Sequence, residues 1–339
     1  MQHKNNFDFL RLLAAFAVLY SHQHALLGLP EPTLGLPDSL GAFGVSIFFS
    51  ISGYLIAQSW ERDPNLLRFA TKRVLRIWPA LLVVTVLAAF VLGPIVSDLP
   101  VATYFQDPLV WKYLDNLRLR MTFQLPGVFT TNPFPNSVNG STWTIPVEVR
   151  WYVYLSIAGA LGLLRKRLVV LLAVFSLAGY YFGIYKADTN PVRLYATQYG
   201  LYFCLGTLMW LYRDKWQTAR IKWAAMAVFA GVCAYLGKQA LLGELLAVAP
   251  LVVLVGNAST PVLRQFGRFG DLSYGVYVYA FVVQQTLAWH YGNSLSFEMQ
   301  LLSTTAITLL CAWLSWHLIE KPALSLKSAN IFRWPMARA

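Results

Sequence analysis

The sequence predicts an all-α polytopic membrane protein with about ten transmembrane helices and both termini in the cytoplasm. Three observations carry that prediction. Hydrophobic residues make up 57% of the 339 residues and charged residues only 12%, about half the share usual for soluble domains. Apolar runs of membrane-spanning length recur along almost the whole chain. The 27 lysines and arginines against 15 aspartates and glutamates give a net charge of +12, and these basic residues are unevenly divided among the loops. The apolar content excludes disorder, and three dispersed cysteines exclude a disulfide scaffold.

A helix needs about 20 mostly apolar residues to cross the hydrocarbon core. The candidate spans are 7–28, 39–60, 74–96, 145–164, 168–186, 192–212, 221–237, 240–256, 273–292 and 297–318. The first is retained rather than cleaved, because the small-x-small triplet Ala15-Phe16-Ala17 lies inside the apolar run and not after it. The pair flanking Gly237 has the shortest turn. With the N-terminus inside, the cytoplasmic segments hold 20 of the basic residues and the outer segments six, namely Lys112, Arg118, Arg120, Lys186, Arg193 and Lys238. That asymmetry orients the chain and calls for an even number of crossings. Residues 1–339 form one membrane domain, and 97–144 form one long extracytoplasmic loop rich in proline and aromatics. This loop is read either as a cap lying on the membrane surface or as a plain connector. Short dispersed basic loops offer no contiguous surface for nucleic acid.

Ionisable residues inside membrane helices are expensive and therefore candidates for function. The first helix carries Asp8, Arg11, His22 and His24. Arg11 and His22 are eleven residues apart, three turns plus roughly 20°, so they share one face with about 16 Å between them. Arg11 suits either a ligand role or a snorkelling side chain paired with Asp8. His22 lies past the middle of its span, where a neutral imidazole accepts a proton from an attacking hydroxyl or serves as a buried hydrogen-bonding group. Arg73 and Arg76 are neighbours on one face, ahead of Pro79, which is expected to kink the third helix. Two guanidiniums so placed suit phosphate groups, or simply mark the cytoplasmic end. Glu148, in STWTIPVEVRWYVY, is expected near the outer mouth, either in the first turn of the fourth helix or as a carboxylate that orients the histidine or grips a sugar hydroxyl. Arg150 points some 200° away from it. Neither cysteine nor histidine spacing forms a metal motif, and nucleophile-elbow and phosphate-loop signatures do not occur. Helix-borne polar residues on both sides of the membrane centre fit a transferase, or a carrier of lipid-linked sugars or organic acids.

The ordered motifs FDFLRLLAAFAVLYSH, GVSIFFSISGYLI, RVLRIWP, WTIPVEVRWY, LSYGVYVYAF and IEKPAL run from residue 7 to 324. Together they resemble the membrane-bound acyltransferase 3 family, in which Arg-(ten residues)-His and Trp-x-x-x-x-Glu elements recur. The resemblance implies an O-acyltransferase in the inner (cytoplasmic) membrane. It would move an acyl group, with acetyl-CoA the expected donor, to a hydroxyl of a cell-surface or lipid-linked carbohydrate. It implies His22 as general base with Glu148 assisting, Arg11, Arg73 and Arg76 as acyl-CoA ligands, and Asp8, Gly53, Tyr54, Trp143, Arg150, Tyr274 and Tyr277 as further motif positions. No permanently bound cofactor and no metal is implied. Transfer runs directly to the acceptor or through an acyl-histidine. One departure is Ala280, where many relatives have histidine. The C-terminal hydrolase-like domain of many relatives has no counterpart here, so the expected transfer is directly to the final acceptor.

Overall fold

The computed structural model describes residues 5–33, 35–183, 190–292 and 294–326. Among these are ten long helices: α1 (Phe7–Leu26), α2 (Leu40–Arg62), α3 (Leu66–Val96), α4 (Thr144–Ala160), α5 (Arg167–Gly183), α6 (Pro191–Leu211), α7 (Arg220–Leu236), α8 (Ala240–Gly256), α9 (Ser273–Tyr291) and α10 (Phe297–Ser325). No strand forms among the described residues, apart from one isolated bridge between Ser97 and Val128. By length and composition, α2, α3 and α10 are long and apolar enough to cross a membrane. α1, α6 and α9, which carry the buried Gln23, Gln198 and Gln284, are shorter and less apolar. Lys4, Lys186, Lys327, Arg333 and Arg338, part of the basic-residue tally, lie outside the described residues, as do both extreme termini.

Each predicted span corresponds to one helix, with two substantial shifts, the tenth running on to Ser325 rather than 318. The third begins at Leu66 rather than near 74, because Asn65 caps it, its side chain accepting from the Arg68 amide at 3.0 Å. Asp63 binds Arg68 and Lys72, each at 2.6 Å, and so fixes the turn from α2. Arg73 and Arg76 are consequently well inside a helix, not at its start. The chain stays α-helical through Pro79. Helix geometry loosens elsewhere, in π-turns at Ala88–Leu92 and Trp316–Glu320. Each encloses the residue four before a proline, Phe90 before Pro94 and Leu318 before Pro322, where the missing amide leaves a carbonyl without its usual partner. Around Gly237 both helices form, joined by a tight turn with Lys238 at φ 61°.

The bundle is built round α2, which packs on α1, α4, α6 and α8. Close approach depends on small residues. A Cβ on Gly53 would lie 1.9 Å from the Phe203 carbonyl oxygen of α6, and one on Gly206 would lie 2.1 Å from the Ser50 oxygen of α2. Tyr54 packs beside Phe7 and Trp210 and lines neither of the two polar cavities described below, so the Gly53–Tyr54 pair joins helices.

Contacts between distant segments define two ends of the bundle. At one, Glu61 pairs with Arg213, Arg167 with Asp214, and the Asn6 amide donates to the Gly256 carbonyl. At the other, Gln198 joins Tyr181 and Asp38. The segment between α3 and α4 is folded, with an apolar core of its own. Short helices Val101–Gln106 and Pro108–Lys112 fold with Val128, Phe129 and Val138 into a small apolar core seated on Ala88, Ala89 and Val96 of α3. The chain then descends along α9. Asn132 donates to Gln285, Asn139 to the Val278 carbonyl, and Ser141 to the Tyr277 carbonyl. From Gln285 to Tyr277 is eight residues, about 12 Å of helix rise. Irregular backbone at such depth is tolerated only where protein surrounds it, and Asn139, Ser141 and Thr142 are all buried.

Candidate active site

That descent decides where Glu148 lies. It carries the first turn of α4 down to the level of Tyr277, so Glu148 does not sit at the outer mouth beside the histidine. It lines a cavity of about 340 Å³ together with Arg11, Arg73, Arg76 and Asp271. Its Oε1 accepts from the Ser52 hydroxyl at 2.6 Å and from the Tyr152 hydroxyl. Arg150, two residues on, faces outward and is exposed.

The three arginines that the resemblance groups together line this one cavity, but they are not equivalent. Arg76 donates to Asp271 Oδ2 at 2.7 Å and to Glu320 Oε2 at 3.3 Å, and its guanidinium lies 5.4 Å from the Tyr274 ring centroid. Arg11 reaches the same Asp271 oxygen at 3.4 Å and Asp8 at 3.9 Å. Asp271, in the segment before α9, also accepts from the Ser273 hydroxyl at 2.6 Å. Burial alone pushes the Asp271 carboxyl up; Arg76 and Arg11 outweigh it and hold it below the ordinary carboxylate range. Arg73 forms no ion pair among the described residues. Its guanidinium lies 5.7 Å from the Phe69 ring and 5.9 Å from the Tyr152 ring, and its Nε is buried without a hydrogen-bond partner. A buried donor left open is costly unless a ligand completes it. Arg73 is thus the cavity's uncommitted positive charge. Asp271, Glu320, Ser52 and Tyr152 were not singled out from the sequence. Asp271 stands three residues ahead of Tyr274, but nothing in its local sequence says that two arginines arrive there.

His22 lines a second, smaller cavity of about 180 Å³, with Glu31, Trp143, Tyr195, Tyr199 and Ser141 among its walls. Its ring meets Phe281 edge to face at 5.4 Å. The rotation of α1 is fixed one position away, where Gln284 Nε2 donates to the Gln23 side chain at 3.0 Å and to the Leu19 carbonyl at 2.8 Å. Glu31 lines the same cavity as His22 and accepts a hydrogen bond from Ser21. His24 instead turns back on the Tyr20 carbonyl at 3.1 Å.

The two cavities share Val45 and Tyr277, which form the partition between them. The Tyr277 hydroxyl donates to the Ser141 carbonyl at 2.8 Å and lies 2.6 Å from Thr144 Oγ1; with its proton committed to Ser141, it accepts from Thr144. Trp143 stands on the histidine side and Tyr274 on the arginine side. The motif positions therefore divide into a basic chamber, an imidazole chamber and a tyrosine between them. Such an arrangement can hold an anionic group in one chamber while presenting its reactive end to a base in the other.

Comparison with known proteins bears on the family of the chain. The chain is 35% identical to a protein of Shigella phage Sf6 named O-acetyl transferase, across 97% of this chain and 99% of that one. It is 31% identical to Nodulation protein 10 of Rhizobium leguminosarum bv. viciae, across 98% of this chain and 96% of that one. No solved structure matches significantly. The acyltransferase domain family matches residues 4–318, which include every lining residue of both chambers except Leu324, and the chain is a member of that family.

Proposed function

We propose that the protein is a multi-pass inner-membrane O-acyltransferase. It moves an acetyl group from cytoplasmic acetyl-CoA to a hydroxyl of a cell-surface or lipid-linked carbohydrate. The observation that carries this reading is the adjacency of the arginine chamber and the His22 chamber across Tyr277 and Val45. In this reading ten helices cross the membrane, both termini are cytoplasmic, and the arginine chamber opens inward. Arg73 takes a phosphate group of CoA. Arg11 and Arg76, already balanced by Asp271, shape the chamber and raise its potential. The pantetheine arm extends past Ser52, Tyr152 and Glu148 toward the partition, over the roughly 16 Å of rise between Arg11 and His22.

His22 then accepts the proton of the acceptor hydroxyl as its oxygen attacks the thioester carbonyl. The new C–O bond forms, the C–S bond breaks, and the departing thiolate recovers the proton from His22. The step is neutral overall and needs neither a metal nor a permanently bound cofactor. Glu148 contributes on the donor side in this scheme, holding the Ser52 and Tyr152 hydroxyls in place. The relative named O-acetyl transferase supports the choice of acetyl as the group transferred.

Mass spectrometry of surface glycans from cells with the gene, without it, and with His22→Ala tests the whole reading. The expected result is an acetyl group that disappears in the deletion and is not restored by His22→Ala, although that variant inserts and folds. Glycans identical in all three strains would sink the reading. A carrier without transfer chemistry would consume no acetyl-CoA when purified.

A further inference from the structure

The His22 chamber has a charge asymmetry that acyl transfer by itself does not require. Its walls present one carboxylate, Glu31, and no arginine or lysine among the described residues, whereas its neighbour holds three arginines. Glu31 lies between α1 and α2, with Ser21 donating to its Oε2. A second carboxylate, Asp38, stands behind the wall and accepts from Gln198 at 2.7 Å. The wall is aromatic: Trp143 and Tyr195 flank Tyr199 at centroid distances of 5.9 and 6.0 Å, and the two tyrosines are nearly parallel. At about 180 Å³ the chamber has the room of roughly six waters at about 30 Å³ each, which suits a single small ring.

On the acyltransferase reading above, we propose that this chamber seats one uncharged sugar ring, and that Glu31 makes it select against sugars that carry a carboxylate. A sugar offers an apolar ring face to the aromatics and a girdle of hydroxyls. An ionised carboxylate accepts only, so Glu31 takes hydrogen bonds from those hydroxyls and fixes which one faces His22. A uronic or sialic acid would bring a second anion beside Glu31, with no arginine or lysine among the described lining residues to balance it, and like charges at such short range repel. Selectivity of this kind comes from the repulsive contact as much as from the attractive one.

Octyl glucoside and octyl glucuronide, which differ only at C6, test the proposal with the full-length protein in nanodiscs and radiolabelled acetyl-CoA. The native envelope extract is a third acceptor. The wild type is expected to acetylate the glucoside at least tenfold faster than the glucuronide. Glu31→Gln should shrink that ratio severalfold, chiefly by raising transfer to the glucuronide, and Glu31→Asp, which keeps the charge, should preserve it. Equal rates on the two glycosides, a ratio unmoved in Glu31→Gln, or transfer to the extract but to neither glycoside each overturns the proposal and leaves the acyltransferase reading standing. Consumption of acetyl-CoA with none of the three acceptors sinks both.

Discussion

At the residue scale, the three arginines that look alike in sequence do different work. Arg76 balances Asp271 and Glu320, so Arg76→Ala leaves the buried Glu320 carboxylate without its cation and Asp271 with Arg11 alone. The expected loss is about 3–5 kcal/mol of stability, read as a lowered melting temperature in detergent or nanodiscs. Arg73 balances no carboxylate among the described residues, so Arg73→Ala should melt near the wild-type temperature. It should lose a charge-assisted contact to the donor worth about 1.5–3 kcal/mol, roughly ten- to a hundredfold in Kd for acetyl-CoA. Calorimetric binding together with thermal unfolding of both variants separates the two roles. Unchanged affinity in Arg73→Ala removes that arginine from the donor site. The shared face of Arg11 and His22 was legible in the sequence because it depends only on helical periodicity. The inequality of the arginines was not, because Asp271 and Glu320 are 195 and 244 residues from Arg76.

At the scale of elements, the helices were legible because each is a run of apolar residues with its own backbone hydrogen bonds. Their ends were less so: one asparagine, Asn65, moves the start of α3 by two turns. The Gly53 motif position also becomes intelligible here. Gly53→Ala places a methyl group 1.9 Å from the Phe203 carbonyl, and backbone on both sides leaves no flexible tip to move. The expected cost is about 1–3 kcal/mol or more in the α2–α6 contact. Gly179→Ala in α5, where a Cβ meets nothing within 4 Å, should be neutral or stabilising in the same melting experiment. A Gly53 variant as stable as wild type would mean that the two helices do not approach as described. The segment between α3 and α4 was the element least legible in advance. Its prolines and aromatics marked it as unusual, but its descent along α9 rests on Asn132, Asn139 and Ser141 meeting backbone and side chain more than 130 residues away.

At the scale of the molecule, the proposed function requires the donor to arrive from one side only. The arginine chamber is built from Arg11, Arg76 and Asp271 at the end of the bundle where the basic residues of the short loops gather. Inside-out membrane vesicles should therefore consume acetyl-CoA added to the medium, and right-side-out vesicles should not until they are permeabilised. Equal consumption by both preparations contradicts the orientation. The same arrangement explains why polar residues lower the hydropathy of α1, α6 and α9. These helices supply part of the chamber walls, through Arg11 and His22 of α1, Tyr195 and Tyr199 of α6, and Tyr274 and Tyr277 of α9.

Composition and spacing alone establish an all-helical chain with apolar spans, which residues share a helix face, and which motifs resemble the acyltransferases. Each of those properties is written in composition or in spacing within one element. Only the tertiary structure decided that His22 and the arginines occupy separate chambers, that Tyr277 stands between them, that Glu148 belongs with Arg73, and that Glu31 lines the same cavity as His22. The physical reason is that an ionisable group buried in a bundle takes whichever partner the packing of other helices delivers. That packing is set by close approaches, such as those at Gly53 and Gly206, and by the depth to which an irregular segment can be buried with its polar groups satisfied. Neither is a local property of the chain.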